Sequence, residues 1–420
     1  MLRLILLSLL NRRTTALLSI LGIAVSVSLL LGVEKLRVSA RDSFASTISG
    51  TDLIVGARAG DIQLLLYAVF RIGDATNNIG WDSYQEIAAR PEIDWIVPLS
   101  LGDSHRGFRV VGTEAAFFSH YRYRQDKGLE FTAGGPFSDM FDAVIGAEVA
   151  AALGYKQDSM ITLTHGTGEL TGADHDNLPF RISGILKPTG TPVDRAIHVG
   201  LPAIEAIHLD WRSGSRIPGL SITEEKVRAM TPASLQPRAI TAALVGLKSP
   251  IQTFRFQRYV NGYRAEPLTA ILPGVALSRL WALIGIGERA LAAVAILVVL
   301  TALLGLVTTI YATLNERRRE MAILRANGAS PYHIVLLLVA ESAILTFSGA
   351  VLGTLILYGL ILMLSSAFEA GFGLQLTPTP PSAREWLFFL LVQGAGLLAG
   401  LIPALRAYRH SLADGMTIRS

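Results

Sequence analysis

His165, Asp174, His175 and Asp176 lie within twelve residues of one another in a glycine-bearing stretch. Imidazole and carboxylate together are a donor set for zinc or a similar divalent ion. Their spacing matches no defined metal motif, so a solvated loop is the competing reading. A second candidate is Glu341, the one acid inside the third long apolar run. A carboxylate at membrane depth marks function by default; the alternative is a helix that starts outside the bilayer, with Glu341 at the interface or paired with a nearby arginine. No second acid and no histidine lies in the apolar runs, so a structural or coupling role is expected rather than proton transfer. The chain has no recognisable nucleophile-base-acid arrangement and no G-x-x-x-x-G-K-[ST] phosphate loop. Catalysis is therefore not expected here, nor any cofactor on this chain.

The densest charge lies between Asn315 and Ser330, read as Asn-Glu-Arg-Arg-Arg-Glu-Met-Ala-Ile-Leu-Arg-Ala-Asn-Gly-Ala-Ser. Residues 290 to 314 carry no charge, and another long apolar run follows. A hydrocarbon core ~30 Å thick takes about 20 helical residues, and lipid tolerates no irregular backbone. The charged stretch is therefore expected outside the bilayer, as a hinge between two spans. On a helix, Met321, Leu324 and Gly328 share one side. Asn327-Gly328 suits a left-handed C-cap, and Ser330-Pro331 opens the next helix. Two readings stand side by side. Either the arginines only fix topology, or Glu316, Arg317, Arg318, Arg319, Glu320, Leu324, Arg325 and Gly328 form a docking element that carries force from a cytoplasmic partner into both spans.

The elements that must position these groups follow from composition. The chain has 420 residues, 51% hydrophobic and 17% charged, which describes a membrane protein with a large soluble part. The expected order is a cytoplasmic interfacial helix (1–13), a first span (14–33), a stalk helix (34–50) and an exported α+β domain (51–280). A stalk leading into a second span (281–314), the hinge (315–330), a third span (331–368), a short outer loop (369–385), a fourth span (386–405) and a cytoplasmic tail (406–420) complete it. Arg3, Arg12 and Arg13, the hinge arginines, and Arg406, Arg409 and Arg419 place both termini and the hinge in the cytoplasm. The net charge of +4 is partly that topological bias, and no nucleic acid is expected as a partner. Zero cysteines suits a bacterial periplasm, without disulfides. The first span is expected to stay uncleaved, because its apolar run is too long for a signal peptide.

In the stalk, Leu36, Ala40, Phe44 and Ile48 recur every four residues, so the first span is expected to leave the membrane as an unbroken helix. In the exported part, strands are predicted over 52–55, 95–101, 108–112, 143–145, 160–164, 180–186 and 196–200. Helices are predicted over 147–153, 202–207, 250–262 and from Leu277 onward. Short strands interleaved with helices, without a βαβ series, give the α+β class. Asp82 is read as an N-cap with Gln85 three residues on, and residues 62–72 as a core element too short to span. Tyr121-Arg-Tyr-Arg124 reads as exposed surface, and residues 167–177 and 212–225 as exposed loops. Gly22 with Ser26, Gly349 with Gly353, and Gly396 with Gly400 are small-residue pairs that let helices approach closely.

The layout resembles that of the MacB/FtsX-like ABC transporter permeases, the type VII membrane subunits. The resemblance is strongest in Asn315 to Ser330 and extends to Pro403-Ala-Leu-Arg-Ala-Tyr-Arg-His410 and to the region from Arg12 to Gly22. Val144 to Leu153 and Phe180 to Pro188 are similar to that family's periplasmic core. The resemblance implies a permease dimer in the bacterial inner membrane, with two copies of a separate ATPase that bind ATP and Mg. Their strokes would reach the periplasmic domain by mechanotransmission, and a periplasmic partner is possible in such systems. MacB itself carries its ATPase on the same chain; this sequence departs from that. Two alternatives stay open: an FtsX-like scaffold that switches on a periplasmic hydrolase, and the permease of a metal-linked uptake or efflux system.

Overall fold

The computed structural model describes residues 8–9, 12–45, 47–124, 126–166, 175–209, 211–212, 215–216, 222–230, 232–316, 318–372 and 378–409. The expected interfacial helix before residue 13 lies almost wholly outside these. The chain divides into two compact units, one of residues 1–39, 284–369 and 375–420, the other of residues 40–283 with 370–374.

The second unit is built on a mixed sheet. Its main strands are β1 (Leu53–Ala57), β2 (Ile93–His105), β3 (Phe108–Thr113), β4 (Phe131–Gly134), β5 (Asp142–Ile145), β6 (Phe180–Leu186), β7 (Ala196–Gly200), β8 (Ala242–Leu247) and β9 (Leu268–Ile271). Side by side they run β9-β1-β8-β2-β3-β7-β5-β6-β4, with Thr164–His165 on β2 and Met160–Ile161 on β6. β3 with β7 and β5 with β6 are parallel; the other pairings along this path are antiparallel. The long β2 joins the halves, because residues 93–99 pair with β8 and residues 100–105 with β3.

Pleating sends successive side chains to opposite faces, and both faces of β1 are buried. Leu53 and Val55 pack with Phe256 and Val260, from the helix Thr253–Asn261. Ile54 packs on the other face with Leu64, Leu65 and Tyr67, which belong to the apolar run 62–72. That run is therefore core, as its length demands. Phe44 joins the same core, 5.0 Å from the ring of Phe70 and 5.6 Å from that of Trp281.

Several expectations need correction. The helix Trp81–Ala88 is capped by Gly80, not Asp82, and the Gly80 N–H donates to both carboxylate oxygens of Glu266 at 3.1 and 3.2 Å. Tyr121 and Tyr123 are not surface but buried, and the Tyr121 hydroxyl donates to the Thr47 carbonyl at 2.6 Å. The strand expected over 160–164 is two short ones. Residues 212–225 contain part of a two-strand ribbon (Trp211–Arg212 with Ser215–Arg216) and the start of the helix Glu224–Arg228, whose Val227 is buried. Residues 167–174 lie outside the described region, but His175 and Leu178 beyond them are buried, not looped into solvent.

The first unit gathers four helices, Arg13–Ala45, Pro273–Glu316, Pro331–Phe372 and Ala383–Arg409, each long and apolar enough to cross a bilayer. The stretch 369–385 is shorter as a loop than expected, since helix continues to Phe372 and resumes at Ala383. Val299, Leu303, Leu306 and Ile310 recur on one face and meet Ile23, Val27, Ile334 and Leu338 in the core. Close approach depends on glycine. A Cβ on Gly349 would stand 2.7 Å from Ile23 Cβ, and one on Gly353 would stand 2.4 Å from the Ala24 carbonyl. Added to Gly396 or Gly400, a Cβ would meet Thr346 Oγ1 at 2.2 Å or Ser342 Cβ at 2.5 Å. Gly22 is different: it faces open space, and the contact surface of the first helix is Ile23 and Ala24. Its companion Ser26 is buried and donates to the Gly22 carbonyl at 2.8 Å.

Candidate functional site

The hinge folds as the short helix Arg318–Ala326, between helices that end at Glu316 and begin at Pro331. Arg318, Arg319 and Glu320 make its first turn, and Arg317 lies outside the described residues. Gly328 takes φ +91°, a conformation natural to glycine. The Ala329 N–H then donates to the Leu324 carbonyl and the Gly328 N–H to the Arg325 carbonyl, both at 3.0 Å. This is the double bond pattern of a Schellman cap. Immediately after it, Ser330 Oγ sits 2.6 Å from His333 Nδ1 and Pro331 begins the third apolar helix. Only four residues, Asn327 to Ser330, separate the hinge helix from its successor. Met321 packs on the apolar core of the bundle, Leu324 and Arg325 are half-buried, and Ile323 is 55% exposed.

Glu341 is buried one position before Ser342, whose hydroxyl donates to the Gly396 carbonyl at 2.6 Å. Ser342 and Thr346, rather than Glu341, mark the face where the third helix receives the small residues of the fourth. A further polar cluster was not anticipated. Just past the first span, Lys35 Nζ lies 3.4 Å from Glu385 Oε1 and donates to the Thr379 hydroxyl at 2.9 Å and carbonyl at 3.0 Å. Beside it, Arg37 donates to both oxygens of Glu34 at 2.7 and 3.0 Å and reaches Glu288 at 3.9 Å. Arg384 adds a contact to Glu34 at 3.6 Å. These groups tie the first, second and fourth helices together.

In the other unit, His165 and His175 do come together, and Asp103 and His208 join them. Potential ligand atoms of all four lie within 4.8 Å of one another. Asp176 is exposed and is not one of the four, and Asp174 lies outside the described residues. Asp103 comes from the last turn of the pleat of β2, His165 from the short strand paired with it, and His208 from the end of the helix Leu201–His208. His175 is drawn in by its own N–H, which donates to the Leu163 carbonyl at 2.8 Å. Asp103 Oδ1 is 3.2 Å from His165 Nδ1 and 3.4 Å from His208 Nε2, and those two nitrogens are 3.1 Å apart. Burial disfavours the Asp103 carboxylate, yet hydrogen bonds from His165 and His208 outweigh it and hold its pKa well below the usual range. Burial likewise opposes a charged His208, and the Asp103 partnership overcomes it and raises the imidazole pKa.

A family model described as the MacB-like periplasmic core domain matches residues 15–243, more than half of the chain, and one described as the FtsX-like permease C-terminal matches residues 292–412. The chain belongs to the MacB/FtsX-like ABC permease family. Among solved structures, the periplasmic region of MacB from Actinobacillus actinomycetemcomitans is 9% identical to the permease. That match covers 56% of this chain and 94% of that one, with a TM-score of 0.34. The extracellular domain of the noncanonic ABC-type transporter YknZ from Gram-positive bacteria is 10% identical, with 53% and 99% covered and a TM-score of 0.31. No match was found among curated proteins. Permeases of this family are membrane subunits that work with an ATPase subunit, and they carry their extracytoplasmic domain on the periplasmic side of the inner membrane.

Proposed function

We propose that the permease converts ATP hydrolysis by a separate ATPase subunit into conformational work of its periplasmic domain, to export or extract a substrate. In this reading two permease chains pair and two ATPase subunits each seat one hinge helix, with both termini and the hinge in the cytoplasm. The ATPase binds the ATP and Mg; this chain supplies no catalytic group. The observation that carries the reading is the capped hinge helix. Its Schellman turn and the Ser330–His333 contact leave little slack between it and the helix Pro331–Phe372, while Met321 seats it against the bundle. A push on Ile323, Leu324 or Arg325 is thereby passed to helices of 44 and 42 residues. The first of these begins at Pro273, beside β9, so a single helix runs from the periplasmic domain to the hinge.

The test is ATPase stimulation in lipid vesicles holding permease and its co-purifying ATPase. Leu324→Ala with Arg325→Glu is expected to weaken partner binding roughly 30-fold or more, the scale of losing an interface hot spot. Stimulation should fall to the level of the ATPase alone, while membrane insertion and Tm stay unchanged. Full stimulation in the double variant would contradict the reading. Transport of a labelled substrate in the same vesicles separates export from the scaffold role, which would show ATPase coupling without transport.

A further inference from the structure

We infer that Asp103, His165, His175 and His208 form a closed site for one divalent transition-metal ion of the zinc class, bracing the periplasmic domain from within. The inference is independent of ATP coupling and goes beyond it. Four side chains converge from four separate pieces of backbone: β2, the strand Thr164–His165, the segment opening at His175, and the helix Leu201–His208. Tetrahedral zinc, with bonds of about 2.0–2.1 Å to imidazole and carboxylate, sets its ligand atoms about 3.3 Å apart. Three edges of this cluster measure 3.1, 3.2 and 3.4 Å.

Ligand orientation is already fixed. His208 Nδ1 lies 2.7 Å from the Ile204 carbonyl, one turn back on its own helix, and donates its proton there. That leaves the Nε2 lone pair directed at the cluster, the outer-shell arrangement typical of a metal-bound histidine. Nε2 then faces His165 Nδ1 at 3.1 Å, with the Asp103 carboxylate beside both. One dication serves three imidazoles and a carboxylate together, and balances the charge of a carboxylate whose side chain is 4% exposed.

The donor set also selects the ion. Three imidazoles and one carboxylate suit zinc, cobalt, nickel or copper, whereas magnesium and calcium favour oxygen donors. Four protein ligands leave no open position for a substrate water, so the ion is structural rather than catalytic. Entry is from the side of His165, whose side chain is 41% exposed, while His175 forms the sealed floor. Once bound, the ion pins both ends of the segment between His165 and His175 to β2 and the helix Leu201–His208. The sheet between them would gain rigidity without a disulfide.

Metal binding to the full-length permease in detergent tests this, after chelator stripping and dialysis against buffered micromolar Zn²⁺. One zinc per chain is expected, with a higher Tm than the stripped protein. Co²⁺ in place of Zn²⁺ should give the intense visible absorption of a tetrahedral site. His165→Ala, chosen because the side chain is half-exposed, is expected to weaken binding at least ~10-fold and to abolish the Tm shift. Asp103→Asn should do the same. Absence of bound zinc at about 10 µM free ion would overturn the site, as would undiminished binding and an undiminished Tm shift in the folded His165→Ala variant.

Discussion

Replacing Lys35 with methionine is expected to destabilise the detergent-solubilised permease by roughly 3–5 kcal/mol, the cost of stripping one partner from a buried ion pair. The ammonium lies 3.4 Å from Glu385, whose side chain is 6% exposed, and 5.5 Å from the ring of Tyr358. Methionine fills similar volume but takes the cation away from the buried carboxylate of Glu385, and the Thr379 hydroxyl and carbonyl lose the lysine donor. Adding Glu385→Leu to Lys35→Met should restore most of the loss, because removing both charges takes away the desolvation penalty along with the attraction. Denaturant titration of the two single variants and the double variant measures this directly. A loss below about 1 kcal/mol in Lys35→Met would mean that the pair is solvated and does not fasten the first helix to the fourth.

Gly353→Val has the second large effect, and its origin is steric. A Cβ there meets the Ala24 carbonyl oxygen at 2.4 Å and the Ala24 Cα at 3.1 Å. Those atoms are backbone of a neighbouring helix and cannot rotate aside, so the first and third helices must separate along their shared face. Overpacking of this kind costs about 1–3 kcal/mol, and the adjacent contact of Gly349 with Ile23 is lost with it. Gly359, on the same helix, is exposed and faces open space. Gly359→Ala is therefore expected to be neutral or slightly stabilising, since alanine holds helix better than glycine by about 0.5–1 kcal/mol. Equal thermal shifts in the two variants would remove the packing explanation.

Local patterns carried much of the fold. Phe180–Leu186 opens on the alternation Phe-Arg-Ile-Ser and is a strand with those bounds whose burial alternates throughout, and Asn327-Gly328 closes the hinge helix as its chemistry requires. The pairs Gly349/Gly353 and Gly396/Gly400 mark true contact faces, because close approach needs only a row of small residues four apart. What failed was whatever distant chain segments decide. Ala242–Leu247 is a short apolar run with no period of its own, and it becomes a central strand only because β1 and β2 flank it. Tyr121 and Tyr123 look like surface beside arginines, yet partner groups such as the Thr47 carbonyl draw them inward. Gly80 rather than Asp82 takes the cap position, with its own N–H held by Glu266, far along the chain.

The candidate sites divide the same way. The hinge is contiguous, so its charge pattern and cap could be read directly. The histidine cluster is half contiguous: His165 and His175 are near in sequence, but Asp103 stands 62 residues from His165 and His208 stands 43 away. Only β2 pairing with Thr164–His165, and the docking of the helix Leu201–His208, bring them together. Nothing near Lys35 in sequence announces Thr379 or Glu385 as its partners. A lysine beyond an apolar span is ordinarily a topology signal, and here it is also a fastening.

The proposed function requires the hinge helix to be the cytoplasmic lever through which a partner reaches the periplasmic domain. Because the chain has no cysteine, single engineered thiols report its side of the membrane without background. Ser330→Cys beside the hinge and Met160→Cys on the sheet domain, both at exposed positions, are to be treated in intact spheroplasts with a membrane-impermeant maleimide. Met160→Cys is expected to be labelled at once and Ser330→Cys only after the membrane is permeabilised. Labelling of Ser330→Cys in sealed spheroplasts would put the lever on the outer face, out of reach of any cytoplasmic ATPase, and would contradict the proposed function.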